Sequence, residues 1–202
     1  GRATGRDGEP GGGPASRPAG ALARDGAGDV ALNEHAGVAG ARGRARLGIV
    51  TTHPIQYQVP WLAALAADPR LDLLVGYGWL PDPQAQGVGF GKAFSWDVPL
   101  LDGYRWSELA RANRRPQLSR FFGIRLHGIR RWLREQRLDA VITTGWNSYS
   151  LVQTALAARR LGVRLLVRGD SHDLRPRGLA MRLLHRAFLP LFDGLLVVGK
   201  GN

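Results

Sequence analysis

Six consecutive residues, Arg168-Gly169-Asp170-Ser171-His172-Asp173, gather a cation, two carboxylates, a hydroxyl and an imidazole in one short stretch. An imidazole near pH 7 donates or accepts a hydrogen bond and can move a proton. The same stretch reads equally as a helix N-cap with solvated charges, because Asp and Ser are good caps. The run before it, Val163 to Val167, is short, apolar and bounded by polar residues, which is the pattern of a buried parallel strand. The polar cluster therefore falls at the carboxyl end of a strand, where open α/β sheets bind their ligands.

Two further polar groups fall at equivalent places. Leu47 to Thr52 reads as a first buried strand, followed by His53-Pro54-Ile55-Gln56-Tyr57-Gln58 and then an apolar segment opened by Pro60. Pro60 suits a first helical turn, where its missing N–H costs nothing. His53, Gln56 and Tyr57 thus sit at the first strand-to-helix turn. Asp139 to Gly145 is another strand, with Trp146, Asn147 and Ser148 in its turn and a helix running to about Leu161, closed by Gly162.

The elements that position these groups follow in order. Leu71 to Gly76 is a second strand, a helix is expected from about Leu179 to Phe192, and Gly194 to Gly199 is a last strand. Residues 120–137 have helical periodicity, with Phe122, Leu126, Ile129 and Leu133 on one face and Arg120, His127, Arg131 and Arg134 on another. That basic face is either a solvated surface or a patch that meets anionic lipid. The order β-α-β, excursion, α-β-α-β-α-β predicts an α/β fold: a Rossmann-like, doubly wound, mostly parallel sheet with helices on both faces.

Residues 1–45 are rich in Gly, Ala, Arg and Pro and nearly devoid of large apolar residues, so the segment is expected to be disordered. Residues 46–202 are long enough for one domain with a real core. The chain ends at Lys200-Gly201-Asn202, directly after a strand, and is expected to be truncated.

Composition removes several classes. There is no cysteine, hence no disulfide, thiolate catalysis or cysteine-based metal site. No apolar run approaches the ~20 residues of a membrane span. No glycine-rich fingerprint follows the first strand, which argues against a dinucleotide site, and Gly87 to Ala93 lacks the spacing and hydroxyl of a P-loop. Net charge is +12, and nearly all the excess lies in 46–202, mostly as Arg. A basic body suits phosphates, nucleotide sugars, anionic lipid or nucleic acid; the alternative source of the charge is a high-GC genome that writes Arg and Ala freely. Nucleic-acid binding rests on charge alone, with no reading element.

Five stretches taken together resemble a known family: His53-Pro54-Ile55-Gln56-Tyr57-Gln58-Val59-Pro60, Phe94 to Tyr104, Gly145-Trp146, Arg168 to His172, and Val198 to Asn202. The body resembles the N-terminal domain of a GT-B fold glycosyltransferase of the family 4 type (glycosyl transferases group 1). The resemblance covers nearly all of 46–202 and none of 1–45. It implies that residues 46–202 are a Rossmann-like acceptor-binding domain. The C-terminal domain that binds the nucleotide sugar, with its pair of glutamates, is absent from this chain, which alone is then expected to be inactive.

The resemblance implies further roles. His172 faces the reaction centre as the catalytic group. Arg168, Asp170 and Ser171 contact the donor or its phosphates, Arg168 through its fork of donors. His53, Gln56, Tyr57, Trp146 and Asn147 line the acceptor side, with Trp146 able to stack on a sugar face. Trp146 and Tyr57 read also as ordinary packing aromatics, His53 as a group that bonds backbone, and Asp170 as a cap. No cofactor is expected beyond the nucleotide-diphosphate sugar as co-substrate, and no metal, since Asp170, His172 and Asp173 read better as a capped loop. The implied partners are a glycan or lipid-linked acceptor and a nucleotide-sugar donor held by the second domain. Peripheral membrane contact is compatible with them; nucleic acid is not expected. The implied role is polysaccharide or cell-envelope glycan synthesis in the cytoplasm, at or near the inner membrane face. The alternative from another class is a non-catalytic module that binds a glycan or anionic lipid.

Overall fold

The computed structural model describes residues 43–82, 99–169 and 185–197. Their backbone is built on six strands: β1 Ala45–Thr51, β2 Leu71–Tyr77, β3 Trp106–Glu108, β4 Ala140–Thr143, β5 Arg164–Gly169 and β6 Gly194–Val197. They form one sheet in the order β3-β2-β1-β4-β5-β6, and every pairing is parallel. This is a Rossmann-like α/β sheet, whose strand order reverses direction between β1 and β4.

Alternation along the strands builds two cores. Ile49, Leu73, Val75 and Ile142 face one side, where Leu62 of α1 (Val59–Ala67) covers them. Val50, Leu74, Val141 and Leu165 face the other. There they meet α2 (Ile129–Glu135) through Trp132 and Leu133, and α3 (Tyr149–Leu161) through Leu151, Ala155 and Ala158. Side chains at successive strand positions leave on opposite faces, so helices are needed on both. The expected layers are therefore present.

Local signals behave as their chemistry requires. Pro60 lies in the first turn of α1. Ser148 is the N-cap residue of α3, and its carbonyl accepts the N–H groups of Leu151 and Val152 at 3.1 and 3.2 Å. Gly162 ends α3, with its N–H directed to the carbonyls of Ala158 and Arg159. Asp193 ties α3, β5 and β6 together. Its carboxylate accepts the Leu165 N–H at 2.7 Å and the Arg159 guanidinium at 2.8 Å. Those two donors hold the Asp193 carboxyl below its ordinary pKa, the backbone bond contributing most.

Three readings of the sequence need correction. β1 begins at Ala45, two residues before the apolar run, because the Ala45 N–H bonds the Arg70 carbonyl at 2.8 Å. β3 lies within the stretch read as an excursion; it adds to β2 beside Val75 to Tyr77. The helix expected over 120–137 is confined to Ile129–Glu135. Phe121–Gly123 is a single 3₁₀ turn, and Leu126 instead bridges Arg111 in antiparallel fashion. Gly128, left-handed at φ +73°, separates that turn from α2. The Gln153 side chain takes the place of helical bonds for Leu126, accepting its N–H at 2.9 Å and donating to its carbonyl at 3.1 Å. Arg120 and His127 therefore do not share a helix face with Arg131 and Arg134. Of the expected helix from Leu179 to Phe192, residues 185–188 are helical and Leu189–Leu191 is a 3₁₀ turn containing Pro190; the earlier part lies outside the described residues.

The correction separates two residues that periodicity places on one face. Leu133 is fully buried, whereas Phe122 is 56 % exposed. Leu133→Ala is expected to lower the unfolding free energy by about 2–5 kcal/mol, and Phe122→Ala, which removes only ring contacts at the surface, by about 1 kcal/mol or less. Urea unfolding of both variants followed by circular dichroism checks the contrast.

Candidate functional site

The carboxyl ends of β1, β4 and β5 open onto a cleft of about 380 Å³. It lies where the strand order reverses, the place where open α/β sheets bind their ligands. β1 supplies Thr51 and, just beyond it, Thr52 and His53; the following turn supplies Ile55, Tyr57 and Gln58. The β4-to-α3 turn supplies Thr144 to Ser148, β5 supplies Arg168 and Gly169, and Leu118 closes the rim.

The strand ends are locked to one another, so the cleft walls are preorganised. The Thr144 hydroxyl donates to the Thr51 hydroxyl at 3.0 Å, and the Thr144 N–H reaches the Val50 carbonyl at 3.2 Å. On the other side of β1, the N–H groups of Gly78 and Trp79 bond the carbonyls of Thr51 and Thr52, each at 2.9 Å. Gly145, at φ +110°, takes the backbone sharply out of β4 in a conformation that side chains resist. That turn carries Trp146 and Asn147 into the wall.

His53 is half-buried, and its Nδ1 lies 2.9 Å from the Thr52 hydroxyl. Burial lowers its pKa below the ordinary 6.5, so the ring is neutral at pH 7. A neutral ring bonded through Nδ1 presents Nε2 either as donor or as acceptor, according to which partner holds the shared proton. Arg168 is half-buried at the end of β5, and its guanidinium carbon stands 5.0 Å above the Trp61 ring of α1. Stacking on an indole face orients the planar fork.

Trp146 is fixed by an aromatic cluster. Its ring lies 5.2 Å from His185, 6.1 Å from Phe188 and 5.9 Å from Phe192. It is therefore a packing residue as well as a cleft residue. Tyr57 is 57 % exposed at the cleft edge, and Asn147 is exposed in its wall.

Of the residues singled out in the sequence, the structure brings together His53, Tyr57, Trp146, Asn147 and Arg168. Gln56 is exposed on the short turn Gln56–Gln58 and is not part of the lining. Asp170, Ser171 and His172 lie outside the described residues, as does Asp173.

Sequence reasoning missed Gln58, Thr51, Thr52, Thr144 and Leu118. Gln58 is only 4 % exposed, and its Oε1 is buried without a hydrogen-bond partner among the described residues. The threonines read as ordinary strand ends. The available signal was their shared position after an apolar run, one or two residues beyond the last apolar core side chain.

Among the described lining residues there is no carboxylate. The walls offer hydroxyls, amides, a neutral imidazole, aromatic rings and one guanidinium. Among the described residues, no group of three or more His, Asp or Glu gathers into a cation site. No helix among them is long and apolar enough to cross a membrane. No family model matches the chain, and no curated protein matches it.

The depressed His53 pKa has a thermodynamic consequence. Below about pH 6.5 the unfolded chain takes up a proton on this ring that the folded chain refuses, so stability falls as pH falls through that window. Between about pH 7 and pH 5 the wild-type melting temperature is expected to drop further than that of His53→Gln. Scanning calorimetry of both proteins at several pH values checks it; parallel curves would mean that the ring titrates alike in both states.

Proposed function

We propose that the chain is the acceptor-binding half of a retaining glycosyltransferase that uses a nucleotide-diphosphate sugar in polysaccharide or cell-envelope glycan synthesis. One observation carries this reading: a cleft at the reversal of the strand order whose described lining consists of neutral hydrogen-bonding groups, aromatic rings and one guanidinium. Sugars present many hydroxyls and apolar ring faces, so their sites combine amide and hydroxyl partners with flat side chains. The sequence resemblance over 46–202 supports the same reading independently.

In this account Tyr57, Trp146 and Asn147 hold the acceptor, and neutral His53 bonds one of its hydroxyls through Nε2. In glycosyl transfer the bond from the anomeric carbon to the diphosphate oxygen breaks, one to the acceptor oxygen forms, and the acceptor hydroxyl's proton passes to the departing diphosphate. Charge accumulates on the leaving diphosphate. Arg168, steadied by Trp61, stands at the end of β5 where it meets that charge. His172, three residues beyond β5, carries the role nearest the reacting carbon. The nucleotide itself is held by a second domain.

The test is an assay of the natural gene product with a panel of nucleotide-diphosphate sugars and glycan or lipid-linked acceptors. Transfer is expected with one donor, and Arg168→Ala and His172→Ala are each expected to lower kcat/KM by roughly a hundredfold, about 2.7 kcal/mol of transition-state stabilisation. Neither transfer nor donor hydrolysis with any pair would overturn the reading. Glycan binding without turnover would favour a non-catalytic module.

A further inference from the structure

We propose that the rim segment 113–125 is a docking surface for an anionic membrane face, set at the mouth of the cleft. Its tip exposes apolar side chains on a fixed backbone. Phe121 and Phe122 are 43 % and 56 % exposed, and Leu118 is 40 % exposed. The two phenyl rings meet edge-on at 4.8 Å, and both meet Tyr149 at the start of α3, at 6.2 and 5.2 Å.

The backbone beneath is pinned at several points. Asn113 accepts the Arg125 N–H at 2.9 Å and donates to the Gly123 carbonyl at 2.8 Å. The Gln117 N–H bonds the same Gly123 carbonyl at 2.9 Å, and the Ala112 N–H bonds the Arg125 carbonyl at 2.8 Å. A Cβ on Gly123 would fall 1.8 Å from the Gln117 carbonyl oxygen, so the loop closes only around a glycine. Exposure of the two phenyl rings is thus built into a tied loop.

Charge specifies the occupant. Residues 109–134 contain eight Arg and no acidic residue. Arg111 pairs with Glu108 and Arg131 with Glu135. Arg114, Arg115, Arg120 and Arg125 have no ion pair among the described residues. Arg125 sits 5.7 Å from the centre of the Phe122 ring. An apolar tip on a segment this rich in arginine is the composition of a segment that settles at the interface of an anionic bilayer. There the aromatics enter the headgroup zone and the cations meet lipid phosphates. A nucleic-acid duplex, its bases already stacked and paired, would meet the cations and leave the apolar tip without a partner.

The placement relates docking to the cleft. Leu118 belongs to the cleft rim, and Ser148, next to Tyr149, belongs to its wall. A docked molecule therefore brings the Leu118 side of the cleft rim close to the bilayer. The surface stands on its own geometry; that the acceptor is lipid-linked rests on the glycosyltransferase reading.

The test is co-sedimentation of the 202-residue chain with vesicles of phosphatidylcholine alone and of phosphatidylcholine mixed with phosphatidylglycerol, at low and high salt. Binding is expected to the anionic vesicles only, weakening as salt rises. The double variants Phe121→Ser/Phe122→Ser and Arg114→Ala/Arg115→Ala are each expected to weaken it by roughly tenfold with unchanged circular dichroism. Arg160→Ala, at the far end of α3, is expected to bind like wild type. No wild-type binding at low salt, loop variants that bind as wild type does, or an Arg160→Ala loss equal to theirs would overturn the proposal. Binding to random duplex DNA but not to vesicles would overturn it too. None of these vesicle results touches the transfer assay, so the two readings fail separately.

Discussion

The parallel pairing of β1 with both β2 and β4 is the constraint from which the rest follows. Parallel neighbours put all carboxyl ends on one edge of the sheet. They also force each connection to cross a face, which is why helices cover both sides. Because the order reverses between β1 and β4, the connections that leave these two strands depart in opposite directions. The gap between them is the cleft. The Thr144–Thr51 hydroxyl bond and the backbone bonds from Gly78 and Trp79 set its walls before any ligand arrives. Binding in such a site loses little free energy to ordering.

Side chains in the cleft are held from behind by groups that do not line it. Trp61 supports Arg168 from the α1 face, and Phe188 and Phe192 support Trp146 from the β5–β6 side. Burial keeps His53 neutral beside Thr52. The result is a wall of rigid donors and acceptors with one cation at its end. The aromatic cluster of Phe121, Phe122 and Tyr149 lies at the same edge of the sheet, beside Leu118 and Ser148 of the cleft.

Much of the fold was legible in the chain. Each long strand is a short apolar run ending in polar residues, and period-2 alternation within a run is what builds two cores. β3 was not legible, because Trp106-Ser107-Glu108 is three residues of mixed polarity; only the edge of β2 makes it a strand. The helix over 120–137 misled because apolar spacing continued across two glycines. Tight approach at Gly123 and a left-handed Gly128 interrupt the helix there, and periodicity alone weighs neither. In the cleft, the aromatic, imidazole, amide and guanidinium residues stood out by type. Gln58 and the threonines did not, since their importance comes from neighbours distant in sequence.

The central claim is that the cleft at the reversal of the strand order is a sugar-binding site. The most direct measurement is backbone amide chemical-shift mapping of the ¹⁵N-labelled chain against a panel of mono- and oligosaccharides, with a nucleotide diphosphate as a second ligand. The account predicts saturable shifts at His53, Gln58, Thr144 and Asn147 with a glycan, and at Arg168 and Gly169 with the diphosphate. Shifts confined to the opposite end of the sheet, around Arg46, Asp72 and Arg105, would contradict it, as would no shift with any sugar.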